Sequence, residues 1–69
     1  MLSPHLARYS FLFRIDYRTR SKLGTRTLYI VAASPGEAAH AALEKAHTWR
    51  GVVRVDRAVQ LGSAIQVSG

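Results

Sequence analysis

From Tyr9 to Arg20 the chain alternates, with Phe11, Phe13, Ile15 and Tyr17 on one side and Ser10, Arg14, Asp16 and Arg18 on the other. A period of two over this length predicts a half-buried β-strand. Thr25 to Ala33 is rich in β-branched and aromatic residues, and Ser21-Lys22-Leu23-Gly24 between the two runs carries turn residues with a glycine at its end, so the two runs form a hairpin. A four-residue turn there sets Arg20 opposite Thr25, Tyr17 opposite Leu28, Ile15 opposite Ile30 and Phe13 opposite Ala32. The last six share one face. Arg14, Asp16, Arg18 and Arg20 then lie on the other face beside Thr25, Thr27, Tyr29 and Val31.

Ser34-Pro35-Gly36-Glu37 has the composition of a helix start, with Ser at the N-cap, Pro at the first helical position and Glu at N3, where it can bond back to the cap backbone. Ala38, Ala39, Ala42, Leu43, Ala46 and Trp49 recur at helical spacing as the buried stripe, and Gly51 is a natural stop. A stripe made mostly of alanine lets a helix lie close on a sheet. Val52 to Leu61 predicts a third strand with Val53, Val55, Val59 and Leu61 on one face. Arg57 interrupts that pattern, as a bulge or a strand end would. Past Gly62-Ser63, the run Ala64 to Val67 predicts a fourth strand folding back on the third. A three-residue loop would align Ile65 and Val67 with Leu61 and Val59, where a two-residue loop would not.

The fold class expected is α+β: an antiparallel three- or four-stranded sheet with one helix packed on one face, ββαβ, or ββαββ if the fourth strand forms. A right-handed crossover into a third strand beside the first gives sheet order 2-1-3. That order leaves an open strand edge, which a second copy of the chain could close as a homodimer.

Sixty-nine residues make one small domain, 1–69, close to the size at which a core barely offsets chain entropy. There is no cysteine, hence no disulfide framework and no thiolate metal site, in keeping with a reducing compartment. The first residues lack the features of a secretory leader, and the longest wholly apolar run, Leu28 to Ala33, is far below the about 20 residues that span a bilayer. The expected location is the cytoplasm, with no membrane partner.

Charge sharpens the functional expectation. Ten Lys/Arg against four Asp/Glu give +6, and the excess sits in the first half, where Asp16 is the one acid. Arg18, Arg20, Lys22 and Arg26 fall within nine residues around the hairpin turn. A localised field of this kind attracts phosphates or an acidic protein face. Basic residues also keep small proteins soluble, which requires charge but not clustering.

The candidate nucleic-acid-binding residues are Arg14, Arg18 and Arg20 on the exposed hairpin face, Lys22 in the turn, Arg26 projecting to the other side near the tip, and Tyr29 as a stacking platform for an unpaired base. Arg54 extends this surface if the third strand flanks the first. A single strand would use the sheet face, whereas a duplex would take the protruding ribbon in its major groove. Against this, Asp16 can pair with Arg14 or Arg18 across an ordinary solvated face, Arg54 can be offset by Asp56, and Tyr29 can be a packing residue. Arg50, Arg54 and Arg57 form a second, sparser basic set.

His40, Glu44 and His47 share the polar side of the helix at a spacing that could serve zinc, but a solvated helix face displays the same residues. The metal-protease signature His-Glu-x-x-His is absent, so no metal or other cofactor is expected. Nor is there a Cys nucleophile, a G-x-S-x-G elbow or a G-x-x-x-x-G-K-[ST] loop. With four carboxylates in all, one of them a capping residue, the chain does not read as an enzyme.

Tyr29-Ile30-Val31-Ala32-Ala33-Ser34-Pro35-Gly36-Glu37-Ala38-Ala39 resembles the strand, S-P-x-E-A, alanine-rich helix module of small accessory proteins of bacteriophages and plasmids. The resemblance covers under half of the chain and carries no functional residues with it. It implies a mobile-element origin, where small basic proteins bind DNA or RNA, or bind and inhibit a host protein. The expected function is therefore nucleic-acid binding through the hairpin around residues 14–29, the alternative being a protein-interaction module that docks on an acidic host protein.

Overall fold

A computed structural model describes residues 7–68. Its element order is β1 (Arg8–Arg18), β2 (Leu23–Ala32), α1 (Pro35–His47), β3 (Arg54–Gln60) and β4 (Ile65–Ser68). All strands lie in one antiparallel sheet ordered β2-β1-β3, with β4 also paired to β1. This is an α+β fold with α1 packed on one face.

The hairpin forms in a register different from the expected one. Tyr17 is opposite Gly24, Ile15 opposite Arg26, Phe13 opposite Leu28 and Phe11 opposite Ile30. The loop is still four residues long but runs Thr19 to Lys22, two residues earlier than the turn chemistry indicated. Thr19 closes it: its N–H donates to the Lys22 carbonyl at 2.8 Å, and its hydroxyl bonds both that carbonyl and the Lys22 N–H at 3.2 Å. Gly24 is needed elsewhere, because a Cβ there would overlap the ring of Tyr17 that lies across it. Moving the loop by two residues shifts the pairing by four, an even number, so every side chain keeps its face.

The core follows from that face. Phe11, Phe13, Ile15 and Ala32 on the sheet meet Ala38, Ala42 and Ala46 on the helix, all buried, with Ile15 and the three helix alanines fully so. Ser34 caps α1, its Oγ accepting from the Glu37 N–H at 3.2 Å. The helix ends at His47, before Gly51. Thr48 caps it, donating its hydroxyl to the Lys45 carbonyl at 2.6 Å, and Gly51 serves the following turn at φ +84°. Trp49, in that turn, packs edge-on against Tyr17 with ring centroids 5.8 Å apart.

The third strand carries the bulge that Arg57 foreshadowed. Asp16 is opposite Arg57 but Tyr17 is opposite Val55, so Asp56 is the extra residue. The insertion reverses the alternation along β3, and Val59, expected on the same face as Val55, sits opposite Arg14 on the other face. The fourth strand forms, but it does not fold back on β3. Leu61 donates its N–H to the Leu12 carbonyl at 2.8 Å, Gly62 bends the chain at φ +69°, and β4 then continues along the same edge of β1, Ser10 facing Ile65 and Tyr9 facing Gln66. β3 and β4 thus act as one interrupted strand. No helix among the described residues is long and apolar enough to cross a membrane.

Candidate nucleic-acid interface

Among the described residues, no element packs on the sheet face opposite α1. The pairing arranges it in rows across β2, β1 and β3: Leu23, Arg18 and Arg54; Thr25, Asp16 and Arg57; Thr27, Arg14 and Val59. Beyond these, Tyr29 faces Leu12, and Ser10 lies between Val31 and Ile65. Half the face is therefore charged and half is apolar.

In the charged half, two aspartates each hold two arginines. Asp56 accepts from Arg54 Nε at 2.9 Å and from Arg18 Nε at 3.3 Å. Asp16 accepts from Arg57 Nε at 3.0 Å and from the Thr25 hydroxyl at 3.2 Å. Arg14 completes the set with Nε 3.4 Å from Asp16 Oδ1, an ion-pair contact without an aligned hydrogen bond. The bulge brings this about, because in a bulge of this kind the two successive residues, Asp56 and Arg57, both face the open side. The bond from Arg57 chiefly, with Arg14 and Thr25 adding to it against partial desolvation, holds the Asp16 carboxyl below its ordinary value of 3.8.

Arg14, Arg18 and Arg54 are thus brought together, but as members of an ion-pair mesh and not as bare cations. Arg57, ranked below them in the sequence, belongs to the same mesh. Its signal was the break it makes in the β3 alternation. Arg20 and Lys22 lie in the exposed loop and pair with no acid among the described residues. Arg26 does not join the open face. Its parity places it on the helix side, where its guanidinium carbon lies 4.2 Å from the centroid of the Trp49 ring in a cation–π contact.

Tyr29 is 71% exposed on the open face, so it is not a buried packing residue. It lies six residues along β2 from Leu23 at the loop, about 20 Å at the usual strand rise. One nucleotide cannot touch both the tip and this ring. On the helix, His40 Nδ1 approaches Glu44 at 3.7 Å, while His47 Nδ1 turns back to the Leu43 carbonyl at 2.7 Å. The two imidazoles are not brought together, and no group of three His, Cys, Asp or Glu among the described residues is placed to hold a metal.

Comparison with protein-family models, curated proteins and solved structures finds no match to this chain.

Proposed function

We propose that the chain is a non-enzymatic nucleic-acid-binding protein of the cytoplasm, with a single strand as the preferred ligand. The strand runs from the hairpin loop, across the arginine mesh, to Tyr29. The observation that carries this reading is the ratio in the mesh: four arginines around two aspartates on a face that no described element covers. All four approach their aspartate through Nε, and a guanidinium has five N–H donors, so an arginine steadied in this way retains donors for phosphate. The aspartates halve the local charge but also order side chains that a phosphate would otherwise have to immobilise. Arg20 and Lys22 extend the positive track, and Tyr29 offers a ring on which a base can stack. The resemblance to phage and plasmid accessory proteins is in keeping with this role.

Fluorescence anisotropy with labelled single- and double-stranded oligonucleotides across a salt series tests the reading. Four phosphate contacts give a log-log slope of about −2.8 on single strands, against about −3.6 on duplex. Tyr29→Ala weakens single-strand binding by about 1–3 kcal/mol and leaves the slope unchanged. Failure to bind single-stranded DNA, RNA or duplex at low salt would remove the proposal.

A second reading rests on the other half of the same face. Tyr29, Val31 and Ile65 are exposed there together, an apolar end that suits a protein partner whose acidic margin meets the arginines. Capture of a host protein that survives nuclease treatment, and is lost on Ile65→Asp, would favour it.

A further inference from the structure

We propose that two copies of this chain pair through β2, antiparallel, about a two-fold axis at Thr27. The inference does not depend on what the open face binds. It begins from the backbone. In an antiparallel ladder, alternate residues direct both N–H and C=O to the same neighbour. The Thr19 to Lys22 bond fixes the phase: Gly24, Arg26, Leu28, Ile30 and Ala32 turn their polar groups toward β1. The same phase appears on the far side of β1, where the Arg18 and Leu12 carbonyls accept from Val53 and Leu61. Leu23, Thr25, Thr27, Tyr29 and Val31 must therefore direct theirs away from the sheet. The one sheet neighbour of β2 among the described residues is β1, so this row faces outward unpaired.

Proteins commonly blunt such edges with proline, charge, bulges or short strands. β2 has none of these devices. It runs in unbroken register from Leu23 to Ala32 with no proline, and its one charged residue, Arg26, is drawn to the helix side over Trp49. The β3–β4 edge, by contrast, carries a bulge, a break and three charged residues.

The sequence of β2 selects a second copy as the occupant. Leu23 and Val31, 66% and 54% exposed, lie four residues on either side of Thr27. A two-fold axis normal to the sheet at Thr27 sets Leu23 against the partner's Val31 twice, Thr25 against the partner's Tyr29 twice, and Thr27 against itself. On the helix side Arg26 meets Leu28 and Gly24 meets Ile30. Centring the axis on Leu28 or Tyr29 instead sets Leu23 against Ala33 or Pro35, past the end of β2. Symmetric placement of two exposed apolar residues about a threonine has no use for an unrelated peptide, but it is what a self-complementary interface requires. The arginine mesh stays one strand away, so the approach does not set mesh against mesh. The product is a sheet six strands wide, β3-β1-β2-β2-β1-β3, with each β4 continuing its β3 along the outer edge, both helices on one side and both open faces on the other.

The test is made without nucleic acid. Sedimentation equilibrium up to millimolar concentration should give twice the chain mass of 7.6 kDa. Thr27→Lys places two like charges directly opposite each other and should weaken the dimer at least tenfold, whereas Gln60→Lys on β3 should not. Thr27→Cys, in a protein with no other cysteine, should be joined into a linked dimer by a short bis-maleimide, because directly opposed residues in this ladder are about 5.5 Å apart at Cα. Gln60→Cys should not link. The cysteine result decides the matter should Thr27→Lys fail to fold. A single-chain mass at every concentration, a dimer weakened by Gln60→Lys and not by Thr27→Lys, or a Thr27→Cys dimer that the bis-maleimide does not link would each overturn the proposal.

Discussion

β1 has two flanks, and they are built differently. On one side β2 matches it residue for residue over ten pairs. On the other, β3 and β4 share the same strand between them, with register shifts at Asp16/Tyr17 and at Arg8/Tyr9 and a bend at Gly62. The regular flank ends in an edge still able to pair. The irregular flank has its alternation reversed at Asp56, and that reversal assembles the arginine mesh. Regularity and irregularity thus produce two surfaces of different chemistry from one central strand.

If β1 is the spine common to both flanks, damage to its centre must fell both together. Ile15→Ala empties a fully buried site between sheet and helix and should cost about 2–5 kcal/mol, enough to leave much of so small a domain unfolded. Urea denaturation followed by far-UV circular dichroism and by Trp49 fluorescence should give coincident transitions. Separate transitions would mean that the flanks fold independently.

A smaller effect should be confined to the regular flank. Gly24→Val pushes into the Tyr17 ring, which also packs edge-on against Trp49, and overpacking of this kind costs about 1–3 kcal/mol. The measurable signature is a lowered Tm together with a changed near-ultraviolet signal from Tyr17 and Trp49. A stable variant with an unaltered aromatic signal would show that the ring moves aside without penalty.

The smallest effect belongs to the irregular flank and depends on pH. Asp16 is held below 3.8 by Arg57 first of all. A depressed carboxyl stabilises the fold fully above its ordinary value; the benefit declines as the unfolded chain begins to take up the proton and is gone once pH lies below the folded value. In Arg57→Ala the Asp16 titration followed by NMR should move up toward 3.8, with little change in stability at neutral pH, as exposed pairs contribute little. An unmoved titration would mean that Arg57 does not hold the carboxylate in solution.

The same contrast explains what the sequence disclosed. Long-range alternation in β1 and the Ser34-Pro35 helix start were legible because each rests on residues close in sequence, and they were sufficient for the fold class and sheet order. Gly24 looks like a turn glycine and so points to a loop two residues later than the one that forms, while its actual reason, the Tyr17 ring across the ladder, is a contact between strands. The fate of β4 was hidden for a similar cause: it pairs with β1, more than fifty residues earlier, and not with its neighbour in the chain. At the open face, the arginines could be named individually, but their sharing of Asp16 and Asp56 depends on one inserted residue that alternation marks only as an interruption at Arg57. The period of two puts Arg26 on the helix side, but its stacking on Trp49 joins a strand to a turn beyond the helix and has no local signature.

The three fully buried helix alanines have a consequence beyond packing. A helix seated on methyl groups lies close on the sheet, and enlarging those residues would pry the two layers apart. Evolution of a new specificity in this scaffold must therefore proceed by redecorating its exterior, while the interior stays as it is.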